Sequence, residues 1–369
     1  MAGRPMCQYM AAIGSVGWLA LGTVTQMWEA QTMTEMNVTH HTIEANGISI
    51  HYVSQGEGPL VVFCHGWPES WYSWRHQIPA IADAGYQAVA LSMRGYGQSS
   101  APQDINAYSI NHLIGDVVAV VNSIGVDSAV VVGHDWGAPV AWYSALMRPD
   151  MFSAVAGLSV PYNPPSGALP DGIDVNMVMA QAAGEGRDYY RLFFQEPGRA
   201  EADLEANIER TMVGVLYTIS GDAVADGHLE AGWGGYFPAG QSMSEQLIVP
   251  DDLPSWLSQQ DLDFYVAEIT RTGFRGGLNW YRNINSIPAS LAPWVGSTIK
   301  QPSFYMGGST DVIAGNSPDA LELTKASLPD LRHFEILDGA GHWLQQERPD
   351  QVNTALVSFL DDVHGRQTK

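Results

Sequence analysis

The sequence predicts an α/β protein with a mostly parallel sheet that is flanked by helices and interrupted by a helical insertion. Strand-like and helix-like segments alternate from Thr39 onwards. The run Ala129-Val130-Val131-Val132 is apolar throughout, which is typical of a strand covered on both faces. The alternation stops over residues 163–291, which show no obvious strand, and it resumes near Ser303. A helical block between two strands of one sheet predicts a lid over the edge where such sheets bind ligands.

The individual elements follow from hydrophobic period and turn residues. Asn46-Gly47 separates the first two strands and indicates a hairpin. The predicted strands are 40–44, 48–54, 60–64, 87–93, 128–132, 154–159, 303–306 and 333–337, and the predicted helices are 74–84, 110–124, 139–147 and 352–363. These elements predict an α/β core over residues 36–162 and 292–369. We call the predicted helical insertion, residues 163–291, the cap.

Residues 1–35 precede the predicted core and allow two interpretations. Residues 11–28 are mildly apolar behind a lone Arg4, which faintly resembles a signal or anchor segment. Gly, Ser, Thr and Gln interrupt them, whereas a membrane-spanning helix needs about 20 strongly apolar residues. Met33 and Met36 are alternative starts that would make the segment a dispensable or disordered extension. We expect a cytoplasmic protein, and export or anchoring through this segment stays open.

The composition excludes several classes of partner. Lys and Arg number 17 against 39 Asp and Glu, giving a formal net charge of −22. Such an acidic surface repels phosphate backbones, so we expect no nucleic-acid partner. Cys7 and Cys64 give no disulfide framework, and Cys64 lies in a predicted buried strand. No Cys/His cluster indicates a metal, so we expect no metal or organic cofactor, no required membrane partner, and a monomer or homodimer.

The candidate nucleophile lies between a predicted strand and a predicted helix. In Gly133-His134-Asp135-Trp136-Gly137, glycines stand two residues before and two after Asp135. This spacing allows the sharp strand–turn–helix elbow that exposes its central residue. Esterases place Ser there. A serine that opened an epoxide would form a stable ether, whereas a carboxylate forms an ester that water can cleave. Asp135 therefore predicts displacement at an sp³ carbon.

Three motifs together carry a family resemblance. They are His65-Gly66-Trp67-Pro68-Glu69, Arg94-Gly95-Tyr96-Gly97-Gln98-Ser99 and the elbow around Asp135. They resemble the soluble-type epoxide hydrolases of the α/β-hydrolase fold, and the similarity runs from about Met36 to the C-terminus. Haloalkane and fluoroacetate dehalogenases are close relatives with the same Asp. The resemblance implies hydrolysis of an epoxide to a vicinal diol through an ester on Asp135.

The resemblance also implies a base and an acid that orients it. His342 follows the last predicted strand in a Gly-rich loop, where this fold delivers its histidine, and would activate water. Asp311 follows strand 303–306, lies 31 residues before His342, and would hold its tautomer. Some dehalogenases place this acid after the preceding strand, but residues 159–164 contain no carboxylate.

Two tryptophans are implied to hold the acyl oxygen. By analogy with the family, the backbone N–H groups of Trp67 and Trp136 would form the oxyanion hole and the side chains would contact substrate. Pro68 would fix the first of these turns, and a cis bond before it is one possibility. We do not assign His65 to the chemistry.

Two cap tyrosines separate epoxide from halide chemistry, because an epoxide oxygen leaves as an alkoxide and needs a strong hydrogen-bond donor. Tyr281, in Gly277-Leu278-Asn279-Trp280-Tyr281-Arg282-Asn283, resembles the catalytic lid tyrosine of epoxide hydrolases. Counting back from Gln195-Glu196-Pro197-Gly198 in related enzymes points to Tyr190, with Tyr189 as the alternative. Phenols with a pKa near 10 are protonated at neutral pH and can donate.

Two other functions remain open from the sequence. A haloalkane-type dehalogenase would use the same Asp and could cradle halide with Trp136, and halide release would identify it. A non-catalytic receptor on this fold would bind ligand without turnover. The complete Asp135, His342 and Asp311 set argues against a receptor.

Overall fold

The computed structural model describes residues 36–167, 170, 173–230, 233–313 and 318–366. The predictions for residues 1–35, including export, anchoring and extension, lie outside these residues. The elements below belong to the larger of two compact units, Thr39–Lys369. No helix within the described part of the chain is long and apolar enough to cross a membrane.

Eight strands form one mixed sheet, and two further strands form a small two-stranded sheet. The strands are β1 Thr39–Ala45, β2 Ile48–Gln55, β3 Leu60–Cys64, β4 Gln87–Leu91, β5 Ala129–His134, β6 Phe152–Leu158, β7 Arg187–Tyr189, β8 Tyr236–Pro238, β9 Ser303–Gly308 and β10 Leu331–Leu337. The sheet order is β1-β2-β4-β3-β5-β6-β9-β10. The β1/β2 and β2/β4 pairs are antiparallel, and all other pairs in this sheet are parallel.

The helices fall into a group around the sheet and a group in the insertion. Those before the insertion are α1 Gln77–Asp83, α2 Ile110–Ile124 and α3 Gly137–Met147. Between β6 and β9 lie α4 Val175–Ala183, α5 Tyr190–Phe193, α6 Arg199–Leu204, α7 Ile208–Thr218, α8 Gly221–Ala225, α9 Met243–Gln246, α10 Gln259–Thr272, α11 Arg275–Arg282 and α12 Ile287–Leu291. After the insertion come α13 Pro318–Ser327, α14 Leu344–Glu347 and α15 Pro349–Val363.

The central strands are buried because their side chains are apolar on both faces. Every residue of β3 and β5 is buried, as expected where helices cover a parallel sheet on both sides. Helix α2 follows the same logic, since its buried face includes Leu113, Val117 and Val121. It ends where Gly125 adopts a left-handed conformation with φ of 82°.

The structure differs from the sequence prediction in two places. The predicted helix 74–84 is a 3₁₀ turn, Trp71–Trp74, followed by α1, with the Ser70 side chain capping the turn. The insertion, predicted without a strand, contains a two-stranded antiparallel sheet formed by β7 and β8. Strands of three residues are too short to show a period in the sequence. The boundaries of core and cap at residues 163 and 291 stay a prediction.

Candidate active site

The turn between β5 and α3 places Asp135 above the sheet. Asp135 has φ of 50°, a strained value for a residue with a side chain. The two flanking glycines make the turn possible: a Cβ on Gly133 would lie 2.0 Å from the Gly137 oxygen, and one on Gly137 would lie 2.0 Å from the Cys64 oxygen. Only glycine fits this close approach, so the sequence spacing and the strained elbow have one steric cause.

The two carboxylate oxygens of Asp135 have different neighbours. Oδ1 accepts a hydrogen bond of 2.7 Å from the Trp67 backbone N–H, and the Trp67–Pro68 peptide bond is cis. Oδ2 lies 3.5 Å from His342 Nε2. The donor on Oδ1 holds that oxygen in place, so Oδ2 is the oxygen available for attack.

The loops after β9 and β10 bring Asp311 and His342 together. His342 Nδ1 lies 3.0 Å from Asp311 Oδ1, and the Ile313 N–H donates to the same oxygen at 2.9 Å. Ser159, at the end of β6 with φ of 68°, places its Oγ 3.0 Å from His342 Nδ1. These contacts turn His342 Nε2 towards Asp135.

Charge in the site is concentrated on His342 and its two carboxylate neighbours. Burial lowers the pKa of His342, but the charge of Asp311 and the hydrogen bond to Asp135 outweigh burial and place it well above its ordinary value. Burial raises the pKa of Asp135 and of Asp311, but their interactions with His342 hold both below the ordinary value. The resting site therefore contains an imidazolium between two carboxylates.

A second buried pair, His134 and Glu69, connects the loops that carry Trp67 and His342. His134 Nδ1 lies 2.8 Å from Glu69 Oε2, and His134 Nε2 lies 2.7 Å from the His342 carbonyl oxygen. Glu69 also accepts from the Gly66 N–H and from the side-chain amide of Gln345. His134 therefore connects the Glu69 side chain to the backbone of the loop that carries His342.

The cap contributes two phenols to the same site. Asp135, Tyr190 and Tyr281 line one cavity, and the two tyrosine rings have centroids 5.9 Å apart. Tyr189 is buried in β7 against Tyr236 and is not among the described residues that line this cavity. The structure thus places Tyr190, rather than the alternative Tyr189, beside Asp135.

The two tyrosine hydroxyls have different neighbours, and that of Tyr190 also interacts with the Tyr189 side chain. Tyr190 Oη accepts a hydrogen bond of 3.0 Å from Arg191 Nε. The hydroxyl proton of Tyr190 therefore points away from Arg191. None of the described residues hydrogen-bonds the Tyr281 hydroxyl. Burial and the charge of Asp135 raise the pKa of Tyr281 well above its ordinary value, so this phenol stays protonated.

Two arms of a cavity meet at Asp135 and the tyrosines. The larger arm has a volume of about 280 Å³ and is lined mostly by apolar and aromatic side chains, including Trp136, Trp142 and Ile284. The smaller arm, about 40 Å³, reaches His342 and Trp67. Both tryptophans of the predicted oxyanion hole therefore also line the space for substrate.

The segments that carry the tyrosines are joined to each other. Arg282 pairs with Glu201 at 2.8 Å and donates from Nε to the Phe194 carbonyl oxygen. The Gln195 amide donates to the backbone oxygens of Arg191 and Tyr281, at 2.8 and 3.1 Å. These bridges fix the distance between Tyr190 and Tyr281.

Two residues near the site have structural roles. His65 Nδ1 donates to the Gly66 carbonyl oxygen and Nε2 accepts from the Met93 N–H. Burial lowers the pKa of His65 to about 4, so it is neutral. Cys64 is a fully buried thiol whose pKa burial raises.

All seven residues predicted from the sequence meet in one region: Asp135, His342, Asp311, Tyr190, Tyr281, Trp67 and Trp136. Their individual roles stay predictions. Sequence reasoning missed Ser159, Glu69 and Arg191. Glu69 ends the motif His65-Gly66-Trp67-Pro68-Glu69, and His134 directly precedes Asp135. Membership of these two motifs was the available signal for the pair.

Comparison with known proteins gives the class first. The α/β hydrolase fold family matches residues 59–349. This match, with the elbow and the mixed sheet, defines a protein of the α/β-hydrolase fold and confirms the predicted fold class.

Several relatives and solved structures that resemble this chain are epoxide hydrolases. The chain is 42% identical over 332 residues to epoxide hydrolase A of Mycobacterium tuberculosis, covering 89% of this chain and 99% of that protein. It is 42% identical to an epoxide hydrolase of Caballeronia sordidicola, covering 88% and 94%. A solved epoxide hydrolase from an endophytic Streptomyces superposes with a TM-score of 0.82 at 42% identity, covering 89% and 97%. The chain therefore belongs to the epoxide hydrolases of the α/β-hydrolase fold.

Proposed function

We propose that this protein hydrolyses an epoxide to a vicinal diol through a covalent ester on Asp135. The observation that carries this proposal is one cavity in which a carboxylate shares its lining with two phenols. Haloalkane chemistry needs only a weak donor for the leaving halide. Phenols are stronger donors, as a departing alkoxide requires. The names of the relatives agree with this function.

In the first step Asp135 Oδ2 attacks one epoxide carbon and the bond between that carbon and the ring oxygen breaks. The oxygen receives a proton from Tyr190 or Tyr281 while the other phenol donates a hydrogen bond. Oδ1 remains on the Trp67 N–H and becomes the carbonyl oxygen of the ester. Only Oδ2 faces His342, so the alkyl group is attached next to the base.

In the second step His342 takes a proton from water, and the oxygen of that water attacks the ester carbon. The charge that develops on Oδ1 is stabilised by the N–H groups of Trp67 and Trp136. The tetrahedral intermediate collapses, Oδ2 leaves with the alkyl group, and the imidazolium returns a proton to it. Asp135 is left as a carboxylic acid and gives its proton to His342, which restores the resting ion pair. The diol therefore keeps one oxygen from the epoxide and gains one from Asp135.

Ester formation prepares His342 for this step. In the resting site the charges of Asp311 and Asp135 hold its pKa well above the ordinary value, against burial. The ester is neutral, so one of the two charges that favour the imidazolium disappears. The pKa of His342 falls, and the imidazolium gives its proton by way of solvent to the tyrosine that protonated the epoxide oxygen. The ring therefore becomes a neutral base only after the alkyl group is attached.

A single turnover in ¹⁸O-labelled water tests the covalent step. With enzyme in excess over styrene oxide, the diol should carry no label and the Asp135 peptide should gain it, as read by mass spectrometry. Label in the first diol would contradict the ester. Halide release from chloro- and bromoalkanes, measured in parallel, should be absent. Steady halide release without diol formation would instead identify a dehalogenase.

A further inference from the structure

Arg191 stands out among the residues that line the larger arm of the cavity. Within the described lining, Asp135 and Arg191 carry the charged side chains and the remaining residues are mostly apolar or aromatic. Arg191 Nε donates to Tyr190 Oη at 3.0 Å. Its terminal Nη groups have no hydrogen-bond partner in the described part of the chain. A cation therefore lines the cavity, and within the described residues only its Nε has a hydrogen-bond partner.

Three other arginines with little side-chain exposure are each neutralised by a carboxylate. Arg94 pairs with Asp116 at 2.7 Å, and its side chain is 2% exposed. Arg282 pairs with Glu201 at 2.8 Å and is also 2% exposed. The same pattern holds for Arg75 and Asp261. Arg191 departs from it, since no carboxylate of the described chain forms an ion pair with it.

The surroundings of Arg191 compensate its charge only in part. Its guanidinium lies 6.0 Å from the ring centroid of Tyr189 and 5.6 Å from that of Tyr190. Contacts of this kind stabilise a charge by less than its desolvation costs. A substrate that fills the cavity would desolvate Arg191 further. An anionic group on that substrate would compensate the positive charge.

We propose that Arg191 binds an anionic group of the substrate, so that the preferred substrates are epoxides with a carboxylate a short distance from the ring. This proposal rests on the proposed epoxide hydrolysis and names the class of epoxide. The Nη groups would donate to the carboxylate, which takes no part in the chemistry. The epoxide would still open to the diol with water.

The position of Arg191 limits the separation between carboxylate and epoxide. Arg191 Nε donates to Tyr190 Oη, and Tyr190 is the predicted donor to the epoxide oxygen. A carboxylate on the Arg191 Nη groups would therefore lie close to the epoxide ring. A glycidate, with its carboxylate on the ring carbon, fits this spacing. The formal net charge of −22 disfavours approach of anions, so a cation inside the cavity is required to prefer them.

Two matched substrates test the proposal. Trans-3-phenylglycidate and trans-3-phenylglycidamide have nearly the same shape and differ in charge. The wild-type protein should hydrolyse the acid with the higher kcat/KM. The Arg191→Gln variant should lower the ratio of acid to amide by about 10- to 100-fold, the range of a charge-assisted hydrogen bond. Arg191→Lys keeps the charge and should give an intermediate ratio.

Arg199→Gln is the matched control. Arg199 lies in the same part of the cap and pairs with Asp188 at 3.5 Å on the surface, so this variant also removes one positive charge. It should leave the ratio of acid to amide unchanged. An equal fall of that ratio in both variants would mean that the total charge, rather than Arg191, determines the preference, and would overturn the proposal.

Binding without turnover separates this proposal from the proposed function. Trans-cinnamate and trans-cinnamamide have no epoxide, and their dissociation constants can be measured by calorimetry on the wild type and on Arg191→Gln. The wild type should bind the acid more tightly than the amide, and Arg191→Gln should bind the two equally. Failure of every epoxide to give a diol would overturn the proposed function. Equal binding of acid and amide by the wild type would overturn the anion site.

A variant that lowers kcat/KM for acid and amide alike would also overturn the anion site. In that case Arg191 would act through Tyr190 or through the fold.

Discussion

The two halves of the active site are built in different ways. The core half, Asp135, His342 and Asp311, is buried, and His342 lies 3.5 Å from Asp135 and 3.0 Å from Asp311. The cap half, Tyr190 and Tyr281, presents hydroxyls that do not bond each other, and none of the described residues bonds that of Tyr281. Each residue of the core half thus depends on its neighbours, whereas the two phenols are not hydrogen-bonded to each other.

This difference predicts how each half responds to substitution. Removing one partner from a buried network leaves the other charge unpaired, which is costly. Removing one of two parallel donors leaves a donor in place. We therefore expect single substitutions to be severe in the core half and partial in the cap half.

The largest effect is expected for His342→Gln. Without the base, ester formation should continue but its hydrolysis should slow by at least about 10³-fold. Intact-protein mass spectrometry should then show the enzyme with the mass of one substrate added. His333→Gln is a control, because His333 is partly exposed on β10 and pairs with Glu335 at 3.1 Å. An unmodified His342→Gln protein after long incubation would show that Asp135 does not form an ester.

The cap half should show redundancy. Tyr281→Phe and Tyr190→Phe should each slow ester formation by about 10-fold, and the double variant should slow it by about 10³-fold, within the range for proton transfer. Rapid-quench measurement of the ester gives these rates. Tyr189→Phe tests the alternative assignment and should change the rate by less than a factor of about two, since Tyr189 packs against Tyr236. A larger loss in Tyr189→Phe than in Tyr190→Phe would reverse the assignment.

Asp311→Asn should shift a pH profile as well as lower a rate. The charge of Asp311 raises the pKa of His342, and ester hydrolysis needs His342 neutral. Hydrolysis therefore rises with pH through the pKa of His342 in the ester. Asp311→Asn should move this midpoint to lower pH and reduce the plateau by about 10²-fold, because the tautomer is no longer held. Single-turnover decay of the ester across pH measures both, and an unchanged midpoint would argue against Asp311 as the partner.

The sequence predicted the core half well for a topological reason. Asp135, Asp311 and His342 each follow a strand, and the carboxyl ends of parallel strands meet at one edge of the sheet. Their local signals are glycine spacing and strand ends, both of which can be read along the chain. The family and the fold class were confirmed by the relatives.

The contacts that the sequence did not reveal join segments that are distant in the chain. Glu69 and His134 are 65 residues apart, and Ser159 meets His342 across 183 residues. Nothing in either local sequence specifies such a pair, since a buried polar residue shows its partner only in the folded chain. The two-stranded sheet of β7 and β8 was missed for a separate reason, because strands of three residues show no hydrophobic periodicity in the sequence.

The mildest prediction concerns Arg282, which holds the cap half without touching the cavity. Arg282 joins the Tyr281 helix to the Tyr190 segment through Glu201 and the Phe194 carbonyl oxygen. Arg282→Lys keeps the charge but loses the planar, two-pronged contact. The phenols should shift relative to each other, and ester formation should slow by about 10-fold, because small displacements of a donor cost rate.

Hydrolysis of the ester should be unchanged in Arg282→Lys, since the core half carries that step. Arg332→Lys, a substitution at a surface pair with Asp330, is the control and should alter neither rate. The rates of ester formation and of ester hydrolysis, measured separately in both variants, test this expectation. If Arg282→Lys slowed both steps equally, the two halves of the site would be mechanically coupled and would not be the independent units that their hydrogen bonds indicate.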